Sequence, residues 1–253
     1  MSEIDVPESH PRYQSLLTRH RIEAGVEKGI TSKQGLIAEG RGEAFDYLLG
    51  ERTIRSADRA ARAAAALLLL AERPVLSVNG NVAALVPGEM LELAAEVDAA
   101  VEVNLFNRTE GRVDAIVDHL REHGAEEAGV EIRGQTADAR IPGLDHERAK
   151  VDADGIGAAD VVLVPLEDGD RAAALAEMGK TEIVIDLNPL SRSARTAAVP
   201  IVDNILRAVP NVTEHADELR AAPVDELETT LREFDRERTL AAAEETIRSG
   251  RLA

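Results

Sequence analysis

Residues 182–204, EIVIDLNPLSRSARTAAVPIVDN, decide how this chain is read. Ile183-Val184-Ile185 is an uninterrupted apolar run, the pattern of a strand buried on both faces. It breaks into Asp186-Leu187-Asn188-Pro189 and then into Leu190-Ser191-Arg192-Ser193-Ala194-Arg195-Thr196. In open α/β sheets, ligands bind in the crevice beyond the carboxyl ends of the strands, and polar words are expected there. Arg192 and Arg195 present permanently charged planar forks that match phosphate, and Ser193 and Thr196 add short hydroxyl donors. The plain alternative is a solvated loop. Since the chain as a whole is acidic, arginines gathered at a strand end point instead to an anion site.

Working outward, the same strand-then-polar pattern recurs. Val75–Val78 reads as a strand stopping at Asn79-Gly80-Asn81, and Val161–Leu166 as one ending in Glu167-Asp168-Gly169-Asp170. Val101–Leu105 is a further strand, Val130–Arg133 and Ile201-Val202 are short ones, and residues 125–154 are otherwise irregular. Helices are expected over 13–30, 43–49, 56–72, from about 87, over 109–123, over 171–178 and from 203, with Ser32-Lys33-Gln34-Gly35 as a turn. From about Val224 an acidic, charge-laced helix is expected to be solvated or to contact a partner. Strands alternating with helices predict an α/β fold, a mostly parallel Rossmann-like sheet with helices on both faces. Residues 1–74 and 206–253 form N- and C-terminal helical additions to a core over 75–205, all in one α/β domain. Strand ends of a parallel sheet share one edge, so the separated polar words can build one site.

Composition narrows the partners. The 253 residues carry a net charge of −18, which argues against nucleic acid or an anionic membrane surface. Aromatic residues are 2% of the chain, so the core must be aliphatic. Only Lys28, Lys33, Lys150 and Lys180 are lysines among 29 basic residues; an acidic, arginine-over-lysine surface suits concentrated salt, where self-repulsion is screened. The absence of cysteine excludes disulfides, thiolate catalysis and Cys-ligated zinc. The polar start MSEIDVPESHP does not read as a signal peptide, and the longest apolar run, Ala63–Ala71, is too short to span a bilayer. A cytoplasmic protein is expected.

Three signatures fail in context. Gly155-Ile156-Gly157-Ala158-Ala159 resembles a dinucleotide fingerprint, but it precedes a strand and places Asp160 where the third glycine belongs. Gly179-Lys180-Thr181 ends like a phosphate loop, yet the first glycine is Ala174 and the order is helix then strand. His119-Leu120-Arg121-Glu122-His123 matches H-x-x-E-H, but it lies in the last turn before Gly124, where the helix dipole favours histidine structurally. No protein-held metal site is expected.

Other polar words are more telling together than singly. Arg19-His20-Arg21 lies on the first helix, Arg41 sits between two glycines where backbone can approach a ligand, and Arg108 and Arg112 open a helix. The loop IPGLDHER, 141–148, mixes His146 with carboxylates. Each of these is also compatible with a structural salt bridge or a hydrogen-bonded loop residue.

Taken in order, GLIAEGRGEAFDYLLGE (35–51), SVNGNVAALVP (77–87), EVNLFNRTEGR (102–112), IPGLDHERAKVD (141–152), VLVPLEDGDR (162–171), DLNPLSRSARTA (186–197) and IVDN (201–204) resemble the archaeal phosphopantothenate synthetase family, the 4-phosphopantoate–β-alanine ligases. The resemblance runs from about Tyr13 to Ile205 and implies a dimeric, ATP-dependent ligase of coenzyme A biosynthesis that releases AMP and pyrophosphate. A member from a halophilic archaeon would fit the acidic, lysine-poor surface. In the family's pattern ATP is held at the positions of Arg19, Arg41, Asp186, Leu187, Asn188, Arg192, Ser193, Asn204 and Ile205. Mg²⁺ is expected to bridge the phosphates. Chemistry adds expectations of its own: Arg108, assisted by Arg112, for the phosphate of 4-phosphopantoate; Asn79 or Asn81 for β-alanine; His146 or Asp168 as the base. Without the resemblance, the competing readings are a nicotinamide-dependent oxidoreductase, disfavoured by the missing glycine fingerprint, and a non-catalytic nucleotide sensor.

Overall fold

A computed structural model of the chain describes residues 6–7, 9–10, 12–166 and 169–250. Its centre is a parallel sheet of six strands: β1 (Pro74–Val78), β2 (Ala100–Val103), β3 (Ile132–Arg133), β6 (Val161–Pro165), β7 (Thr181–Ile185) and β8 (Val199–Ile201), in the order β3-β2-β1-β6-β7-β8. The remaining two, β4 (Ala139–Arg140) and β5 (Lys150–Val151), pair antiparallel outside that sheet. Counted within the main sheet alone, the order is 3-2-1-4-5-6. The reversal falls between β1 and β6, which pair through Pro74↔Val161 to Leu76↔Leu163.

Alternation along the strands explains the layers. On β6, Val161 and Leu163 join the large cluster, while Val162 and Val164 face the other way into a second one. The large cluster is closed by α3 (Arg55–Leu70), α4 (Gly80–Leu85), α5 (Pro87–Glu96), α6 (Glu110–Glu122) and α9 (Ile205–Leu219). The opposite face is covered by α7 (Gly169–Glu177) and by the segment carrying β4 and β5. Alanines make α3 thin: Ala60, Ala61, Ala64, Ala65 and Ala66 are fully buried, which lets α9 approach closely. No helix among the described residues is long and apolar enough to cross a membrane.

The structure departs from expectation in four places. Helix α2 runs over Lys33–Leu49, straight through the expected turn, with Ser32 capping it by accepting from the Gly35 amide. Three interior glycines each cost a helix about 1 kcal/mol relative to alanine. At Gly35 a reason is visible, because a β-carbon there would lie 2.3 Å from Asn81 Oδ1. Gly80, at the start of the unanticipated α4, is likewise pressed against the Ile30 carbonyl, 2.4 Å from where a β-carbon would stand. The run after Ser191, where the sequence pattern marks no element, is a short helix, α8 (Arg192–Thr196). Finally, the acidic C-terminal segment is two helices and not one: α10 (Val224–Glu233) is anchored on α3 through Leu227, and α11 (Arg236–Ser249) through Ala243 beside Leu49, Leu187 and Val202, with most of the remaining surface of both toward solvent. Alternation of charge hides these few anchoring positions.

The rejected motifs have structural uses. The Gly155-Ile156-Gly157 turn wraps the carboxylate of Glu102, which accepts from the amides of Ile156 (2.6 Å) and Asp152 (3.2 Å). It is an anion nest for the protein's own side chain. Burial, against those two hydrogen bonds, pushes Glu102 up to about 7. Lys180 donates to the carbonyls of Gly157 and Ala159 at 2.9 and 2.7 Å. His119 is buried with its ring centroid 4.1 Å from that of His123, and burial, then the charges of His123 and Lys28, pull it down to about 4.

Candidate active site

Beyond the carboxyl ends of β1, β2, β6, β7 and β8 lies a cavity of about 590 Å³, roofed by α2, within the usual range for small-molecule sites. Polar residues that follow β1, β2, β7 and β8 line it: Asn79 and Asn81, Asn107, Asp186 and Asn188, and Asn204. Asn79, following β1, caps α4 by accepting from the amides of Asn81 (3.0 Å) and Val82 (3.1 Å), and donates to the Pro165 carbonyl (3.2 Å) at the end of β6. It therefore clamps the point where the sheet order reverses. Asn81 donates to the Gly35 carbonyl at 3.0 Å and ties the roof to that clamp.

After β7 the chain is pre-shaped. Asp186 accepts from the Asn188 amide (2.9 Å) and the Ser191 hydroxyl (2.5 Å), and Ser191 accepts from the Ala194 amide (3.0 Å) to start α8. Burial raises the Asp186 carboxyl above its ordinary range, opposed by Ser191, the Asn188 amide and the charge of Arg41. Arg192 stands at the mouth, largely exposed, 2.7 Å from Asp170. After β8, Asn204 caps α9 by accepting from the Leu206 amide (3.1 Å), so the first turn of a 15-residue helix opens beside Ile205 on the cavity. Helix N-termini favour anions.

A buried ionic network fixes this wall. Asp46 on α2 accepts from Asn204 Nδ2 (2.8 Å) and from Arg207 Nη2 (2.5 Å); the same Arg207 nitrogen lies 2.6 Å from Asp203, which also accepts from the Thr53 hydroxyl (2.5 Å). Leu49, Leu187, Val202 and Ala243 form a small apolar cluster that joins α2, the loop after β7 and α11.

The other half of the cavity is built from β2 and the segment around β5. Asn104, buried, donates to the carbonyls of Arg148 (3.2 Å) and Lys150 (2.9 Å) and holds that segment over the sheet edge. This places Arg148 on the cavity wall with Arg112, Phe106, Asn107, Ser32 and Gln34. Four arginines (41, 112, 148 and 192) line the space against two carboxylates, Glu39 and Asp186. In a chain of net charge −18, that inversion is local and suits a polyanion.

Of the residues singled out from sequence, Arg41, Asn79, Asn81, Arg112, Asp186, Leu187, Asn188, Arg192, Ser193, Asn204 and Ile205 line this one cavity. Arg19 does not; it grips Glu43 through both terminal oxygens at 2.8 and 3.0 Å, and this grip with the Ser15 hydroxyl holds Glu43 below the usual carboxylate range in spite of burial. Arg108 turns away to the Gly134 carbonyl at 2.6 Å. His146 stacks behind Phe106, ring centroids 5.2 Å apart, off the cavity wall. Arg41 is on a continuous helix, so its flanking glycines do not open the backbone there. Asp168 lies outside the described residues. Glu39 and Arg148 were not singled out: both sit inside words whose sequence shows no spacing that aims them inward. Among the described residues no group of three or more His, Cys, Asp or Glu is placed to hold a metal ion.

Comparison with known proteins gives a consistent result. The model of a family described as phosphopantothenate/pantothenate synthetase matches residues 56–250. A Thermococcus onnurineus protein named 4-phosphopantoate–beta-alanine ligase is 60% identical over 237 residues, 94% of this chain and 90% of that protein. Proteins of the same name from Thermococcus kodakarensis and Methanosarcina mazei are 58% identical over 238 and 54% identical over 239 residues, covering 94% of this chain and 90% and 92% of their own lengths.

Proposed function

Because the chain belongs to the phosphopantothenate/pantothenate synthetase family, we propose that it joins 4-phosphopantoate to β-alanine at the expense of ATP, releasing AMP and pyrophosphate. The observation that carries this reading is the identity to ligases of that name over nearly the whole chain, combined with a two-ended, arginine-lined cavity at the strand ends.

A carboxylate is a poor electrophile, so it needs a leaving group before an amine can attack. In this reading the 4-phosphopantoate carboxylate attacks the α-phosphorus of ATP, pyrophosphate leaves, and the acyl-adenylate is then opened by the β-alanine amine. The nucleotide lies along Asp186–Asn188, Arg192, Ser193 and the Asn204–Ile205 turn. Asn188 is suited to base or ribose: it lines the cavity, with its backbone amide held by Asp186 and its Oδ1 accepting from the Leu190 amide at 3.0 Å. Arg41 and Arg192 face the phosphates. Mg²⁺, when bound, neutralises charge on the phosphate oxygens; Asp186 is the carboxylate on that wall. The phosphate of 4-phosphopantoate falls to Arg148 and Arg112 at the other end, in place of Arg108. The protein's main contributions are alignment and charge neutralisation.

The test is product analysis with ATP, 4-phosphopantoate and β-alanine. AMP formed only when all three are present supports the reading. ADP would replace the adenylate by an acyl phosphate, and nucleotide binding without turnover would make the protein a sensor.

The protein acts as a homodimer in the cytoplasm, and its acidic, lysine-poor surface is adapted to high salt. Support for the dimer comes from α2, whose outer side exposes Leu36, Ile37, Tyr47 and Leu48, four of the seven exposed large apolar side chains among the described residues. A self-complementary apolar face is what a two-fold interface requires. Tyr47→Asp together with Leu48→Asp should shift the mass measured by sedimentation velocity from twice 27.1 kDa to 27.1 kDa. An unchanged dimer would place the interface elsewhere.

A further inference from the structure

Joining an amine to an activated acyl group requires the amine to be free, whereas the ammonium of a β-amino acid has an ordinary pKa of about 10. A proton acceptor inside the cavity is therefore needed. The described walls offer two carboxylates. Asp186 is committed, with one oxygen on the Asn188 amide and the other on the Ser191 hydroxyl. The second, Glu39, projects from the middle of α2 between Gly35 and Arg41, above Asn81.

Resting on the ligase reading, we propose that Glu39 takes the proton from the β-alanine ammonium. Its surroundings fit that task. Glu43 and Asp46, on the same helix, are acidic; Asn81, from α4, is neutral and steadies the carboxylate; Arg19, on α1 (Tyr13–Glu27), is occupied by Glu43. The charged groups on the facing walls are Asp186, Arg192, Arg112 and Arg148, and Arg41 lies two residues along α2. Burial first, then the charge of Glu43, pushes the Glu39 carboxyl up to about 7, so it can accept a proton and return it to water near neutral pH. Its negative charge also attracts an ammonium into a cavity otherwise built for anions.

The step balances as follows. The ammonium passes one proton to Glu39. The freed nitrogen lone pair forms the C–N bond, the acyl C–O bond to AMP breaks, and the nitrogen's second proton leaves to water. Glu39 then loses its proton to water, and the cycle closes.

The experiment separates the two half-reactions in Glu39→Gln and in the wild type. Pyrophosphate–ATP exchange dependent on 4-phosphopantoate reports the first half; amide formation with β-alanine, and acyl hydroxamate formation with hydroxylamine, report the second. Hydroxylamine is uncharged at neutral pH and needs no base. Glu39→Gln should lower kcat/KM for β-alanine at pH 7 by about 100-fold or more, the usual worth of general acid–base catalysis. Exchange and hydroxamate formation should fall by less than about threefold. The β-alanine defect should shrink as pH rises, since the variant relies on the free amine already present, while the wild-type inflection near pH 7 disappears. Equal losses with β-alanine and hydroxylamine, or loss of exchange as well, would overturn the assignment in favour of a structural or nucleotide role. So would β-alanine kinetics unchanged in the variant. Absence of exchange in the wild type would instead remove the adenylate reading on which the assignment stands.

Discussion

Asp46→Ala is expected to destabilise the protein more than any other single change to the site's surroundings, by about 3–5 kcal/mol. Its carboxylate is 9% exposed and receives both Asn204 Nδ2 and Arg207, whose guanidinium is itself only 28% exposed. Removing it strands a half-buried cation beside Asp203 and takes from the Asn204 amide its Asp46 acceptor. For a chain of this size each kcal/mol moves the unfolding midpoint by about 2–4 °C, so a fall of roughly 10 °C is expected. The same variant should lose ATP affinity, because Asn204 caps α9 and sets the turn on which the nucleotide is proposed to rest. Denaturant titration at fixed ionic strength, with and without ATP, measures both effects. A loss below about 1 kcal/mol would mean that the network is surface decoration.

Arg192→Ala is expected to do the opposite: large on turnover, small on stability. The Arg192–Asp170 pair has side chains 72% and 58% exposed, and such pairs add little to folding. At the mouth of the cavity the guanidinium is available to the triphosphate, where a charge-assisted hydrogen bond contributes about 1.5–3 kcal/mol. That corresponds to a fall in kcat/KM for ATP of about 10- to 150-fold, with the unfolding curve superimposable on the wild type. Arg192→Lys should recover only part of the loss, since a point charge cannot reproduce the planar fork. Survival of turnover within a few-fold would remove Arg192 from the phosphate site.

How far the sequence carried these conclusions differs from element to element. The strands at 74–78, 161–165 and 181–185 were legible, because a strand buried on both faces must be apolar at every position. Thr109 was legible as the edge of a helix and does cap α6, accepting from the Arg112 amide. Helix α2 was half hidden. Gly35, Gly40 and Gly42 spoil its local propensity, and its continuity comes from packing on Asn81 and from the cap at Ser32. Strands β4 and β5 are two residues each, too short for any period to show.

At the cavity, the polar words after the strands marked the edge of the sheet on which it opens, since a parallel sheet forces those ends together. The residue types alone did not distinguish the arginines that face the cavity from those that do not. Arg19 and Arg41 look alike in sequence; Glu43, 24 residues further along, engages the first, while the second is left on the cavity wall. Arg108 and Arg148 exchange places for a similar reason, because Asn104 pulls the 148–150 backbone over the strand ends while the Gly134 carbonyl draws Arg108 aside.

By itself, then, the sequence determined the alternating strand–helix architecture, the aliphatic core and the edge of the sheet on which the cavity opens. These follow from burial, and burial writes itself into the chain locally, one residue after the next. Tertiary structure alone decided which charged side chains reach the cavity wall and which are drawn away from it. The electrostatic partner of a side chain is set by proximity in space, and nothing in a linear spacing fixes which distant residue arrives beside it.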